Sequence, residues 1–438
     1  MNSARKLVVR TLTKVDDNNS YSNIVLSNAL ENSELSAQDK KFASALFYGV
    51  IERKLTLDEI IAHYSVNKHD KLSSEIRNIL RCGIYQLLYM DSVPDNAAVD
   101  ESVKLAKTNK NPASAGFVNA LLREFVRRSK ALPKRSSRVE QLCLEYSCPV
   151  WLVSKWLSEY GEKVCFDMLD TSFGQPPTTV RVNTVFAPLD DTLKLLSDEG
   201  IMFSRSKVLE NCIDLYFSGS VEQTQAYKSG RIHVQDMSSQ FCAAALDPRP
   251  SETVLDLCSA PGGKTFTIAE MMDNRGKVLA FDLHTNRVKL IQSGAHRLGL
   301  DCITAHTNDA KVFNEQIPKA DKVLCDVPCS GLGVIRRKPE IKYKKPEDFE
   351  RLPQIQYDIL ETSSKYVKQD GVLVYSTCTL SRTENDEVVD RFLKEHCEFS
   401  SCELGEAFGN DRHKSRLTFT PYKYDSDGFF VAKFRRIR

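Results

Sequence analysis

The 438-residue sequence predicts three successive folds: an all-α bundle over residues 1–140, a small α+β module over 145–230, and an α/β domain on an open sheet over 231–438. Three observations carry this reading. Up to about residue 130, apolar residues recur only at helical spacing. Around Gln175-Pro-Pro177, two helical patterns give way to short strand patterns. From Val254 onward, apolar runs alternate with helical segments, and five of them end in polar or thiol residues. Open α/β sheets bind ligands just past the carboxyl ends of their strands.

Composition sets the class. A hydrophobic share of 42% with 27% charged residues is that of an ordinary globular protein. No apolar run approaches the ~20 residues of a membrane span. The start, Met1 to Arg10, lacks the apolar core of a signal peptide, so a cytoplasmic protein without membrane partners is expected. The 13 cysteines are scattered, odd in number and without Cys-x-x-Cys pairs, which excludes a disulfide framework. The 8 histidines do not join them at zinc spacing, so no metal site is expected. Net charge is +2 overall. Residues 1–140 carry 22 Lys+Arg against 16 Asp+Glu, or +6, which leaves −4 for the rest. The surplus peaks over Arg123 to Arg138, which by itself reads as a solvated helix face and linker and, beside a domain that acts on nucleic acid, as a phosphate-contacting arm.

In chain order, Ser36-Ala-Gln-Asp39 reads as a capping box opening a helix from Lys40 to Glu52. Ile76, Ile79, Leu80, Ile84, Leu87 and Leu88 make one apolar helical face. Asp95 after Pro94 can cap a helix from Asn96, and Asn111-Pro112 can open another from Ala113 to Arg128. Five or six such helices suffice for a bundle. Residues 131–144 read as a basic linker. In the module, helices are expected around Trp151 to Tyr160, Lys163 to Thr171 and Leu189 to Glu199, and strands over Thr178 to Asn183 and Cys212 to Tyr216. Trp151 and Trp156 read as core.

The third domain turns on Val254-Leu-Asp-Leu-Cys-Ser-Ala-Pro-Gly-Gly-Lys-Thr265. An apolar strand turns through Cys258, Ser259, Ala260, Pro261, Gly262 and Gly263 into a helix at Lys264. Such a turn brings bare backbone and a helix N-terminus close to a nucleotide-like ligand. It is not a P-loop, because Cys258 occupies the first glycine position, and it is not a G-x-G-x-x-G fingerprint. Further strands end at Asp282, which lies 26 positions after Asp256, before Asp309, at Asp326 with Cys329 beyond it, and at Ser376 with Cys378 beyond it. Arg336 to Lys345 forms a second basic stretch. Asp427 to Arg436 alternates as an antiparallel strand that closes the sheet.

At these residues the chain resembles a known family. Asp256-Leu-Cys-Ser-Ala-Pro-Gly-Gly-Lys-Thr265, Asp326-Val-Pro-Cys-Ser-Gly331 and Tyr375-Ser-Thr-Cys-Thr379 together resemble the RNA cytosine-C5 methyltransferases that use S-adenosylmethionine. Arg81 to Leu88, Asn96 to Val103 and Phe117 to Arg123 resemble the RNA-binding antitermination factor NusB. Arg181-Val-Asn183 and Val234 to Ser239 match segments leading into the same catalytic domain. The combination is similar to the RsmB (Sun/Fmu) family of bacterial small-subunit (16S) rRNA methyltransferases.

The resemblance implies a Rossmann-like catalytic domain, S-adenosylmethionine as cofactor, small-subunit rRNA as partner and a monomeric enzyme. It implies Cys378 as the nucleophile that adds to cytosine C6 and Cys329 as the thiol that assists release. Related DNA enzymes use the Pro-Cys position as nucleophile instead. The cofactor loop corresponds to Cys258 through Lys264. Asp282 suits the ribose hydroxyls and Asp309 the adenine amino group. Asp326 suits the cytosine or the methionine end of the cofactor, and Lys264 suits Asp326 or the cofactor carboxylate. The same chemistry on transfer RNA, or a non-catalytic RNA-binding role, are the alternatives.

Overall fold

The computed structural model describes residues 3–18, 22–65, 72–108, 113–174, 176–217 and 219–438. The expected cap at Asn111-Pro112, and Gln175 of the break, lie outside the described residues. The chain divides into two compact units: residues 1–173 with Lys342–Lys344, and Gly174–Ile341 with Lys345–Arg438.

The first unit is all-helical. Seven described helices run over Ala4–Asn18, Ser22–Glu31, Ala37–Glu52, Lys54–Tyr64, Ser74–Tyr89, Asp95–Lys107 and Ala113–Arg127, one or two more than the periodicity suggested. Phe47, Leu46, Leu80, Ile84, Leu122 and Phe125 are fully buried, each removing enough apolar surface to contribute ~1.5–3 kcal/mol. The Ser36 cap forms as expected, with Asp39 N–H donating to Ser36 Oγ at 3.1 Å. Asp95 does not cap; it occupies the first turn and pairs with Lys130 at 2.7 Å. The helices Arg138–Glu145, Val150–Tyr160 and Glu162–Asp170 group with this unit, because Thr56 donates to Leu144 O at 2.6 Å and the Ser147 hydroxyl accepts from Leu55 N–H at 3.0 Å.

Charge in this unit is more self-satisfied than the sequence implied. Buried Arg81 donates to both oxygens of Asp58 and to Asp16, each at 2.7 Å. In the presumed phosphate arm, Arg127 and Arg128 both pair with Glu124, and Arg135 pairs with Glu59. Lys342 is 1% exposed and donates to Glu52 O at 2.9 Å, beside Tyr343, which donates to Ile51 O at 2.7 Å. Burial lowers the Lys342 ammonium to about 8. The stretch from Arg336 to Lys345 is therefore not uniformly a solvent-facing basic loop.

The second unit carries two sheets. The smaller is antiparallel, from β1 (Thr178–Val182), β2 (Met202–Arg205), β3 (Cys212–Tyr216) and β4 (Ile232–Val234), in the order β2-β3-β1-β4. The sequence signalled β1 and β3. It missed β2, which is mostly exposed and lacks alternation, and β4, only three residues long. Since β4 pairs with β1, the module's sheet continues past residue 230.

The larger sheet has parallel strands β5 (Thr253–Asp256), β6 (Lys277–Asp282), β7 (Ile303–Thr307), β8 (Ala320–Asp326) and β9 (Val367–Thr377). Short strands β10 (Phe399–Ser401) and β11 (Arg416–Phe419), neither foreseen, share one edge of β12 (Phe429–Arg436), whose other edge runs antiparallel to β9. The order is β10-β12-β9-β8-β5-β6-β7. From β5 the chain winds outward through β6 and β7, then returns to the other side of β5 as β8. That reversal opens a crevice at the carboxyl ends of β5 and β8, where doubly wound folds bind ligands.

The two sheets are joined by a buried ion pair. Arg181 of β1 donates to Glu270 on the helix Gly263–Met271 at 2.6 Å, with the Glu270 side chain 1% exposed. Removing one partner from a buried pair strands the other charge, at ~3–5 kcal/mol. Arg181→Leu should therefore lower unfolding free energy in denaturant titration by about that amount. Adding Glu270→Met should recover most of the loss; a single mutant as stable as the parent would show the pair to be dispensable.

Candidate active site

The glycine turn is fixed by backbone bonds to strands on both sides. Leu257 N–H donates to Leu324 O at 3.0 Å, and Ser259 N–H donates to Phe281 O at 2.8 Å. Ser259 Oγ accepts from Phe281 N–H at 3.0 Å. Gly262 then takes a φ of 116°, and a Cβ there would lie 2.3 Å from the Phe266 ring. Only glycine suits both demands. The helix begins at Gly263 and faces a cavity of about 180 Å³ lined by Cys258, Ser259, Ala260, Pro261, Gly263, Lys264, Asp256, Asp326 and the lead-in residues Val234, Gln235, Asp236 and Ser239.

Two carboxylates in this crevice have different surroundings. Lys264 Nζ lies 2.8 Å from Asp326 Oδ2, and Ser376 Oγ donates to Asp326 Oδ1 at 2.7 Å. Burial works against the Lys264 ammonium, but Asp326 outweighs it and holds the lysine above its ordinary range. Asp256 has no such cation. It is fully buried and accepts from Thr265 Oγ1 at 2.6 Å. Burial pushes its carboxyl up to about 6, against the Thr265 bond.

Of the other expected residues, Asp282 is 4% exposed, accepts from His284 N–H at 3.0 Å and pairs with Arg287 at 3.0 Å. Arg287 also donates to Ala260 O at 2.7 Å, tying the end of β6 to the glycine turn. The sequence reading missed Arg287, whose only signal was its place at the start of a helix following Asp282. Asp309 lies past β7 and accepts from Lys311 N–H at 3.0 Å, bracing its own turn. Asp282, Asp309 and Gly262 are not part of the cavity wall.

The two thiols come together. Cys329 and Cys378 Sγ atoms are 3.1 Å apart, and Cys378 N–H points at Cys329 Sγ at 3.3 Å. All thirteen cysteines are free thiols. The Cys329 S–H holds the Cys378 thiol below its ordinary range; burial opposes this, and Lys264 and Lys338 assist it. Cys329 is pushed up in turn, first by that same bond and then by burial. The pair is thus unequal, with Cys378 the more readily ionised of the two.

The segment after Cys329 is clamped against Cys378. Gly333 N–H donates to Cys378 O at 3.0 Å and Gly428 N–H to Gly333 O at 2.8 Å. A Cβ on Gly333 would meet Gly428 O at 2.0 Å. Arg337, in the second basic stretch, joins Asp427 at 2.7 Å and Asp236 at 3.1 Å. Burial, then the Asp236 charge, pushes the Asp427 carboxyl up to about 7 despite Arg337. Asp236, with no role foreseen, caps the helix Met237–Leu246 by accepting from Ser238 N–H at 2.9 Å. Among the described residues no group of three or more His, Cys, Asp or Glu could hold a metal ion, and no helix is long and apolar enough to cross a membrane.

Comparison with known proteins places the chain in a family. Residues 2–127 match the NusB family, 148–222 the ferredoxin-like domain of RsmF/B-like methyltransferases, and 243–435 the 16S rRNA methyltransferase RsmB/F family. The chain is 39% identical to the probable ribosomal RNA small subunit methyltransferase B of Bacillus subtilis (strain 168) across 99% of both chains. The chain belongs to the RsmB/F family. A second RsmB/F relative, the probable ribosomal RNA small subunit methyltransferase B of Synechocystis sp. (strain ATCC 27184 / PCC 6803 / Kazusa), is 33% identical across the full length of both chains. A methyltransferase homologue from Pyrococcus horikoshii superposes with TM-score 0.60 at 28% identity, over 69% of this chain and 100% of that one. The structure of PH0851, at 24% identity, shares the fold with TM-score 0.83 over 100% of this chain and 99% of that one. RsmB/F enzymes are S-adenosylmethionine-dependent, and the donor set fits that cofactor: free helix N–H groups, the Lys264–Asp326 pair, and exposed Leu283, Val312 and Phe313 beside Asp282 and Asp309.

The buried Asp256 predicts a pH signature. Its folded value of about 6 lies above the ordinary 3.8 of an aspartate, so the native state binds the extra proton between those limits. Its contribution to stability is whole below pH ~4 and is lost as pH rises through ~6. Asp256→Asn keeps an acceptor for Thr265 and removes the titration. It should flatten the pH dependence of unfolding free energy across that window and raise stability at neutral pH by up to about 3 kcal/mol; an unchanged slope would place the titration elsewhere.

Proposed function

We propose that this RsmB/F enzyme transfers the methyl group of S-adenosylmethionine to C5 of a cytosine in small-subunit rRNA, acting in the cytoplasm, through a covalent bond between Cys378 and C6. The observation that supports this most is the thiol pair: two sulfurs 3.1 Å apart in surroundings that lower the Cys378 thiol and raise Cys329. Cytosine C5 is a weak nucleophile. Addition of Cys378 Sγ to C6 turns the ring into an enamine, so that a difficult substitution becomes two easier steps. The cofactor supplies an electrophilic methyl group on a sulfonium. With the methyl group on C5 and the cofactor released as its thioether, loss of the C5 proton to solvent water would return the C5–H electrons to the C5–C6 bond and expel Cys378 from C6 as thiolate. Cys329 assists this release.

The remaining roles follow the chemistry of each position. Asp326 hydrogen-bonds the cytosine amino edge or the methionine end of the cofactor, with Lys264 and Ser376 holding it in place. Asp282, oriented by Arg287, faces the ribose hydroxyls, and Asp309 faces the adenine amino group. The turn from Cys258 to Gly263 gives the close backbone approach. Asp282→Ala should weaken cofactor binding by a hydrogen-bond pair, ~2–3 kcal/mol or more than tenfold, and leave RNA binding unaltered. Calorimetry with equal affinities for variant and parent would remove Asp282 from the site.

The thiols have opposite signatures. Cys378→Ala should bind RNA and cofactor yet give neither methyl transfer nor an RNA-linked species. Cys329→Ala should attack and methylate, then stall as a protein–RNA adduct, seen as a slow band on a denaturing gel with cofactor present. The reverse pattern would make Cys329 the nucleophile, and full activity in both variants would end the covalent reading.

A further inference from the structure

One buried carboxylate outside the cavity touches both thiol-bearing turns. Glu384 is 3% exposed and lies just before the helix Asp386–Glu395. Its Oε2 accepts from Ser330 N–H at 2.9 Å and from Gln356 Nε2 at 2.9 Å. Its Oε1 accepts from Ser330 Oγ at 2.6 Å, and Thr379 Oγ1 lies 3.4 Å away. The Ser330 and Thr379 hydroxyls are themselves 2.6 Å apart. Ser330 follows Cys329 and Thr379 follows Cys378 in sequence. Gln356 also donates to Pro328 O at 3.0 Å, so Cys329 is braced on both flanks. Next to Glu384, Asn385 donates to Thr379 O at 3.0 Å and accepts from Thr377 Oγ1 at 2.6 Å, bracing Cys378 on both flanks too.

We infer that Glu384 is a positioning residue for the methyl transfer: it fixes the turn after β8 to the turn after β9 and makes the two thiols unequal in reactivity, Cys378 ahead of Cys329. The inference rests on the reading of the cysteine pair given above. Converging N–H and O–H donors require an acceptor at both oxygens, which a carboxylate provides and an amide does not. Charge-assisted bonds of this kind are the strong ones, and the dry surroundings magnify them. The geometry also gives the pair its asymmetry. Glu384 binds the backbone next to Cys329 and disfavours a thiolate there, whereas Lys264 and Lys338 favour one at Cys378.

The test uses the full-length enzyme and a thiol reagent, so its readout does not depend on methyl transfer. Iodoacetamide labelling at neutral pH, followed by peptide mass spectrometry, gives the rate at each cysteine. The parent should label at Cys378 well ahead of Cys329. Glu384→Gln should reduce that ratio by about tenfold or more, the effect of losing a charge-assisted bond, and lower kcat with RNA affinity unchanged. Glu384→Asp should restore part of the ratio. A parent-like ratio in Glu384→Gln, even with activity lost, would make Glu384 merely structural and overturn the inference. Should Glu384→Gln fail to fold, Thr379→Val cuts the tie on the Cys378 side alone, and an unchanged ratio there would overturn it equally. Methyl transfer by Cys378→Ala would instead defeat the underlying assignment of the nucleophile, an outcome separate from the labelling ratio.

Discussion

The catalytic unit depends on the reversal of chain direction about β5. Because β6 and β8 flank β5 on opposite sides, the loops leaving β5 and β8 diverge and open a crevice. Lys264 and Asp326 face each other across it at 2.8 Å. Lys264 comes from the helix after β5, and Asp326 from the end of β8. The pair sets the charge balance of the crevice: it holds Lys264 protonated, orients Asp326 between Lys264 and Ser376, and places a cation near Cys378. Asp256, one strand end away, has its carboxyl pushed up to about 6 by burial, against the Thr265 bond and the Lys264 charge.

Around this crevice the second unit uses polar contacts where an ordinary core would use apolar ones. Arg181 and Glu270 join the small sheet to the helix that starts the cofactor turn. Asn183 donates to Gly230 O and Leu298 O. Arg337 collects Asp236 and Asp427, and Arg287 collects Asp282 and Ala260 O. Apolar packing is non-directional and would tolerate small displacements of these loops. Directional bonds to named atoms do not. A reaction that needs sulfur, ring carbon and methyl group aligned benefits from that rigidity, because effective molarity falls steeply with misplacement.

Much of the site was legible before any coordinates. The glycine turn, the strand-end aspartates and the two cysteine motifs are local patterns, and a strand-turn-helix places its residues by sequence distance alone. Asp256 to Thr265 formed the expected turn, Lys264 met Asp326, and Cys329 met Cys378. The misses share a cause. Strands β2, β4, β10 and β11 are three or four residues long, too short to show a period. Arg337 and Lys342 looked like solvent-facing cations because their partners, Asp427 and Glu52 O, lie roughly 90 and 290 residues away. Arg127, Arg128, Lys130 and Arg135 were counted as surplus charge, whereas Glu124, Asp95 and Glu59 pair with them.

The sequence by itself determined which chemistry the chain could perform, because residue type and short spacing decide that: two thiols, a glycine turn, and carboxylates at strand ends. It also determined the helical and strand segments long enough to carry a hydrophobic period. Only the tertiary structure decided how protons and charges are apportioned among those groups. Which of Cys378 and Cys329 is pushed down and which up, how far the Asp256 carboxyl is raised, and which arginines remain available all depend on burial and on partners brought from distant sequence. Those are properties of the local dielectric and of distances across the fold, and no linear pattern encodes them.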